Sequence, residues 1–122
     1  MKNIPVAKPF LNISESKEVY KTLNSKWITM GNQVKKFEKQ FANSVDAKYA
    51  LATNNGTSAL HLCLRAIGIK PYDEVIIPNI TFISTINVVL YEKAIPVLID
   101  CSSEDFNIIP EKIEKKITKK TK

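Results

Sequence analysis

Apolar residues recur at helical spacing along the first third of the chain. Apolar positions four residues apart predict a short helix over residues 14–24, which Ser14 can cap through its hydroxyl group. Residues 33–43 carry apolar positions three and seven apart, which predicts a second helix with one apolar face. The stretch between them, "NSKWITMG" (24–31), breaks this spacing and ends in Gly31, so we expect a loop there.

From residue 49 onward, short apolar runs of strand length alternate with longer segments of helical length. Gly68 is suited to end the first of these helices, and Pro110 is suited to the first turn of the last one. The segment over 81–94 is rich in β-branched residues, which weakens the helical prediction there. Strands are predicted at 49–53, 73–78 and 95–100, and helices at 57–68, 81–94 and 110–117.

Strands that are apolar on both faces and alternate with helices are typical of a parallel sheet covered on both sides. The predicted fold class is therefore α/β, with a parallel β-α-β-α-β core preceded by two helices. We divide the chain into an N-terminal helical arm with a loop, residues 1–45, and the first part of an α/β domain, residues 46–122. Because the final "ITKKTK" would lead naturally into another strand, we expect the chain to be the front part of a larger α/β protein.

The charge of the chain argues against a nucleic-acid partner. The net charge is +6, but the last twelve residues contribute +4 of it through six Lys and two Glu. A Lys-rich end is more often a solvated helix face than a nucleic-acid arm. The chain also has a single Arg, the residue that most often reads bases.

Membrane and metal functions are disfavoured in the same way. No apolar run approaches the roughly 18 residues of a transmembrane helix, and the N-terminus lacks the pattern of a signal peptide. We therefore expect a cytoplasmic protein with no membrane contact. Cys63, Cys101 and the single His61 cannot complete a tetrahedral zinc site, so we expect two reduced thiols and no metal.

The stretch "NNGTS" (54–58) is the sharpest candidate site, because ligands gather at the carboxyl ends of parallel strands. Gly56 allows close approach to the backbone, and Thr57 and Ser58 open a helix whose free N–H groups attract an anion such as a phosphate monoester. A plain N-cap explains the same residues equally well. The stretch has neither a P-loop ending nor a GxGxxG pattern.

Two further segments follow the second and third predicted strands. In "PNITF", Phe82 could stack on a flat cofactor or belong to the core, and Thr81 is expected to cap the next helix. Asp100 could face the cleft, although the turn-forming residues around it favour a surface turn. His61 lies within an apolar helix, so we expect it to be structural or partly exposed.

Several stretches, taken in order, resemble one known family. They are "KWITMGNQVKKFEKQFA", "YALATNNGTSALHLCLRAIGI", "DEVIIPNITFISTINVVLYEKAIPVLID" and "NIIPEKIEKKITKKTK". From about Ile4 to Lys122 the chain resembles the pyridoxal-phosphate-dependent sugar aminotransferases of the DegT/DnrJ/EryC1/StrS family, and most closely its perosamine-synthetase-like members. The resemblance implies the N-terminal part of the large cofactor-binding domain of a fold-type-I aminotransferase.

The resemblance also assigns roles to particular residues. It implies that Gly56 and Thr57, with Ser58 adjacent, bind the 5′-phosphate of pyridoxal phosphate, chiefly through backbone N–H groups. It implies that Phe82 stacks on the pyridine ring of this cofactor. The loop near the substrate entrance maps more loosely, onto Trp27, Thr29 and Gly31.

For the whole enzyme, the resemblance implies a homodimer in surface-polysaccharide or amino-sugar biosynthesis. It would transfer an amino group from an amino acid, typically glutamate, to a nucleotide-linked keto-deoxy sugar. The family's cofactor-binding lysine, and the aspartate that pairs with the pyridine nitrogen, match nothing in this chain. We therefore expect no catalytic residue here and no transamination by this chain alone. A sugar dehydratase of the same family and a non-catalytic module that binds a phosphorylated ligand remain as alternatives.

Overall fold

A computed structural model describes residues 3–5 and 7–122. The chain divides into two compact units, Met1–Ala52 and Thr53–Lys122, a few residues beyond the predicted boundary after residue 45. The described elements are α1 (Ile13–Asn24), α2 (Asn32–Ser44), α3 (Gly56–Ala66), β1 (Glu74–Pro78), α4 (Ser84–Tyr91), β2 (Ile95–Ile99) and α5 (Pro110–Glu114).

Helix α1 is capped by Asn12 rather than by Ser14. Asn12 Oδ1 accepts a hydrogen bond from the Ser14 N–H at 2.7 Å, and Glu15 Oε2 accepts one from the Asn12 N–H at 2.7 Å. These reciprocal bonds form a capping box, which satisfies N–H groups that have no partner within the helix. The predicted Ser14 cap is wrong because Ser14 lies in the first turn, where its hydroxyl donates to Asn12 Oδ1 at 2.6 Å.

Helix α2 is confirmed, and its Phe37 and Phe41 rings lie 5.9 Å apart on one face. The strand predicted at 49–53 is wrong, since the structure has no strand there. A strand needs a second backbone to pair with, and the described residues provide none for this segment. The Ala52 N–H donates instead to the side chain of Glu38, at 2.9 Å from Oε1.

In the second unit, β1 and β2 pair in parallel from Glu74 opposite Ile95 to Pro78 opposite Ile99, with α4 as the crossover between them. The α/β class and the strand–helix–strand order are therefore confirmed. The core lies where α3 and α4 pack beside the sheet, and it buries Ile69, Ile77, Val89 and Ala94 with Leu64, Val75 and Ile86 against them.

Helix α4 begins later than predicted, at Ser84, with Ile83 as its N-cap residue. The backbone pairing continues past β1, because the Asn79 N–H donates to Ile99 O at 2.8 Å, so the next residues are used to turn the chain back. The predicted Thr81 cap is therefore wrong. Its hydroxyl oxygen instead lies 3.0 Å from that of Thr85.

The last residues of the chain lie along the edge of β1 that faces away from β2. The Glu74 N–H donates to Lys120 O at 2.8 Å, and the Lys122 N–H donates to Glu74 O at 3.0 Å. These bonds make a parallel bridge between Glu74 and Thr121, and the Thr118 hydroxyl donates to Glu74 Oε2 at 2.6 Å. The segment therefore pairs with β1 at one isolated bridge, and its continuation into another strand stays a prediction.

Candidate functional site

The N-terminal ends of α3 and α4 lie at the carboxyl edge of the sheet. Each helix ends in a short loop that leads into the amino end of a strand, α3 into β1 and α4 into β2. The two loops are joined, because the Tyr72 N–H donates to Lys93 O at 3.0 Å and the Ile95 N–H donates to Asp73 O at 2.8 Å. Since the strands are parallel, α4 runs back against them, and α3 packs on α4, so both helices begin toward the carboxyl edge.

Helix α3 begins at "NNGTS" with its first N–H groups only partly satisfied. Asn55 is the N-cap, and its Oδ1 accepts from the Ser58 N–H at 2.8 Å. Within the described part of the chain, the N–H groups of Gly56 and Thr57 donate to no acceptor. A Cβ atom on Gly56 would meet nothing within 4 Å, and Gly56 is exposed to solvent. The same segment is therefore both an N-cap and a set of free donors.

We refer to Gly56, Thr57 and Ser58 as the anion seat. The side chains of Thr57 and Ser58 are half-buried beside the free N–H groups, and each carries a hydroxyl that can donate. The positive end of the helix dipole lies at the same place. The seat can bind an anionic oxygen through backbone donors and the dipole, and hydroxyl groups can add further bonds. At the far end, Gly68 ends α3 as predicted with a φ of +78°.

Phe82 lies in the bend between β1 and α4, and 74% of its surface is exposed. The alternative that it belongs to the core is therefore wrong for the described structure. An exposed ring that precedes a helix at the carboxyl edge is free to contact a flat ligand. Many other large apolar side chains of the described chain are as exposed, such as Phe10 and Tyr49, so the assignment of Phe82 to a cofactor ring rests on the family resemblance.

In the first unit, the Trp27 loop, which comprises residues 26–31, lines a surface groove of about 820 Å³. The Trp27 indole N–H donates to Met30 O at 3.2 Å, and this bond holds the ring against the backbone of its own loop. A Cβ atom on Gly31 would collide with the Trp27 ring and lie 2.7 Å from its Cδ1. A larger residue at position 31 would therefore require the Trp27 ring to move, and Thr29 lies exposed between the two residues.

Glu92, which the sequence did not indicate, connects α4 to α3. Its carboxylate is 7% exposed, and its two oxygens bind different partners, His61 Nε2 at 2.5 Å and Arg65 NH1 at 3.1 Å. We refer to these three residues as the Glu92 bridge. His61 is partly exposed, as expected, and its ring forms a T-shaped pair with Tyr91 at 5.5 Å between ring centroids. The available signal was the spacing of His61 and Arg65, four residues apart on one helical face.

Burial by itself raises the pKa of the Glu92 carboxyl group. The hydrogen bond from Arg65, the one from His61 and the charges of both residues outweigh burial, and together they hold this pKa below its ordinary value. The carboxylate is therefore kept ionised in the folded chain, where it can bind both partners.

Asp100 and the two cysteines are the remaining candidates. Asp100 Oδ2 accepts from Lys112 Nζ at 2.9 Å, a hydrogen bond whose donor also lowers the pKa of Asp100 through its charge. This bond attaches the end of β2 to α5. Cys63 and Cys101 are free thiols. Within residues 3–5 and 7–122, no three His, Cys, Asp or Glu side chains cluster as metal ligands, and no helix has the length and apolarity to cross a membrane.

The fold and its carboxyl-edge site place the chain among α/β proteins built on a parallel sheet. Its sequence matches the DegT/DnrJ/EryC1/StrS aminotransferase family over residues 11–122, and the chain belongs to this family. A curated relative, the GDP-perosamine synthase of Escherichia coli O157:H7, is 44% identical over 123 residues, which is 100% of this chain and 34% of that protein. The chain spans about a third of the length of the curated relatives it matches.

Solved structures give the same family and contain two kinds of enzyme. The aminotransferase from Psychrobacter cryohalolentis matches with a TM-score of 0.86 at 38% identity, over 97% of this chain and 31% of that one. The GDP-4-keto-6-deoxy-D-mannose-3-dehydratase of Escherichia coli, with bound hydrated PLP, matches with a TM-score of 0.90 at 30% identity, over 100% of this chain and 33% of that one. The fold of this chain is thus that of the corresponding part of these enzymes.

The Gly31→Ala variant should displace the Trp27 ring, because the added methyl group occupies the space that the indole fills. The ring should lose its bond to Met30 and move further into water. Trp27 is the only tryptophan, so its fluorescence emission reports the change directly, and we expect a shift to longer wavelength. Gly56→Ala is the matched control, since its methyl group meets nothing. Unchanged emission in Gly31→Ala would contradict the described loop.

Glu92 should make the stability of the second unit depend on pH. Its pKa is lower in the folded chain than in the unfolded chain, so its contribution is present above the unfolded value and is lost as pH falls through the folded value. The melting temperature of Glu92→Gln should therefore lie below that of the parent at pH 7, and the difference should shrink below about pH 4. Glu18→Gln, which removes an exposed ion pair with Lys21, should show little difference at either pH. A difference for Glu92→Gln that is independent of pH would refute this assignment.

Proposed function

We propose that this chain supplies the cofactor-phosphate site of a pyridoxal-phosphate-dependent sugar aminotransferase. Family membership supports the class of enzyme, and the described structure supports the position of the site. The observation that carries the proposal is the pair of N–H groups at Gly56 and Thr57, which donate to no acceptor in the described chain at the start of α3. A relative of the same fold is described with bound hydrated PLP.

The residues present fit this cofactor. A phosphate ester is a dianion that prefers backbone N–H donors at a helix N-terminus, which the anion seat offers. Phe82, exposed at the same edge of the sheet, is the residue we assign to the face of the pyridine ring. When bound, pyridoxal phosphate carries the amino group between the amino-acid donor and the acceptor, while the protein supplies binding and orientation.

We further propose that the acceptor is a nucleotide-linked keto-deoxy sugar and that the donor is an amino acid, typically glutamate. One relative is named a GDP-perosamine synthase, and a related structure is described as holding a trapped PLP-glutamate geminal diamine. On the substrate side we assign Trp27, Thr29 and Gly31, since the loop that carries them lines a groove. We expect the working enzyme to be a cytoplasmic homodimer, and we expect the 122 residues alone not to transaminate.

Gly56→Ala should weaken the binding of pyridoxal phosphate by about tenfold, because an added methyl group at the anion seat restricts how closely a phosphate approaches the backbone. The measurement is a fluorescence titration of the protein produced from its natural gene. Gly68→Ala is the matched control at the other end of α3. It strains a left-handed residue and lowers the melting temperature, but it leaves the affinity unchanged. Equal affinity for Gly56→Ala and parent would rule out the anion seat as the phosphate site.

A sugar dehydratase is the second candidate function, because a structure of such an enzyme matches the whole of this chain. The two reactions differ in their products, since only transamination leaves nitrogen on the sugar. We expect the gene product, given glutamate and GDP-4-keto-6-deoxymannose, to form an amino sugar that carries ¹⁵N from labelled glutamate in mass spectrometry. Loss of a hydroxyl group without nitrogen in the product would establish the dehydratase instead.

A further inference from the structure

The Glu92 bridge connects two consecutive turns of α3 to the end of α4. Glu92 lies just after α4, and its carboxylate uses one oxygen for His61 and the other for Arg65. A buried carboxylate is costly unless both of its oxygens are paired, so the fold favours the arrangement in which both bonds are made. These two bonds therefore hold α3 and α4 at one relative position, which apolar packing between the helices would not define by itself.

Apolar packing does not by itself define that position. Leu64 contributes to the core from α3, but dispersion contacts are non-directional and tolerate small sliding and rotation of a helix. Hydrogen bonds are directional, and two of them from successive turns fix both the rotation of α3 and its position along its axis. The anion seat begins the same helix, about a turn and a half before His61.

We propose that Glu92 is a positioning residue for the anion seat. Through His61 and Arg65 it sets the axial position and rotation of α3, and thereby the direction in which the Gly56 and Thr57 N–H groups point. The role is selective, because it concerns the phosphate of the ligand and not its ring. This inference rests on the proposed function, in which the seat binds the phosphate of pyridoxal phosphate.

The test compares two ligands that differ only in the phosphate, pyridoxal phosphate and pyridoxal. Each is titrated into the parent protein, as produced from its natural gene, and into Glu92→Gln, with binding followed by fluorescence. Glutamine keeps the size of the side chain but loses the charge that binds both partners. We expect the dissociation constant of pyridoxal phosphate to rise about tenfold. We expect that of pyridoxal to change by less than about twofold.

A second variant keeps the test decisive if Glu92→Gln does not fold. Arg65→Gln removes one arm of the Glu92 bridge from an exposed side chain, so it is expected to fold. It should weaken the binding of pyridoxal phosphate but not that of pyridoxal, by a smaller factor than Glu92→Gln does. Glu18→Gln is the control, because it makes the same chemical change in an exposed ion pair outside the second unit. This control should leave the dissociation constants of both ligands unchanged.

Two results would overturn the inference. One is unchanged affinity for pyridoxal phosphate in a folded Glu92→Gln or Arg65→Gln protein. The other is an equal loss for both ligands, which indicates general destabilisation. Failure of the proposed function has a different signature, because then Gly56→Ala also leaves the binding of pyridoxal phosphate unchanged. If Gly56→Ala weakens binding and the bridge variants do not, the anion seat stands and only the positioning role is refuted.

Discussion

Parallel pairing between β1 and β2 forces the chain to return across the sheet through α4, because a tight turn can join only antiparallel strands. The pairing also sets the direction of the helices, since each must deliver the chain to the amino end of a strand. As a result α3 and α4 both begin at the carboxyl edge, and the residues that follow β1 lie there as well. The anion seat and Phe82 therefore share this edge because of the strand direction.

The spacing of apolar residues along the chain predicted most of the helices and strands. Helices α2 and α3 and strands β1 and β2 have apolar spacings that need no partner to be read from the sequence. The segment at 49–53 has the composition of a strand. It forms no strand, because the described residues offer no neighbouring backbone with which it could pair. The ends of α1 and α4 were missed for a related reason. Cap geometry depends on which residue leaves the helical conformation, and several neighbouring polar side chains are equally suitable.

The candidate site divides in the same way between local and non-local information. "NNGTS" indicated both an N-cap and an anion site, and the structure assigns the cap to Asn55 while leaving the N–H groups of Gly56 and Thr57 free. The exposure of Phe82 could not be predicted, since it depends on where α4 begins. The Glu92 bridge could not be predicted from the sequence either. It joins Glu92 to Arg65, which is 27 positions away, and to His61, which is 31 positions away. It could be found only once the two helices were placed side by side.

The donors of the anion seat belong mainly to the main chain, and this has a consequence for how such a site changes with time and with pH. A backbone N–H is present whichever side chain follows it, so neutral drift at Thr57 or Ser58 can alter the lining of the seat while preserving its central donors. Backbone amides also do not titrate in the physiological range. For a phosphate ester, which is the ligand of the proposed function, the second negative charge gained near pH 6 therefore contributes to the pH response of binding at the seat. The backbone donors of the seat thus keep the same charge across this range, while the charge of a phosphate ligand changes.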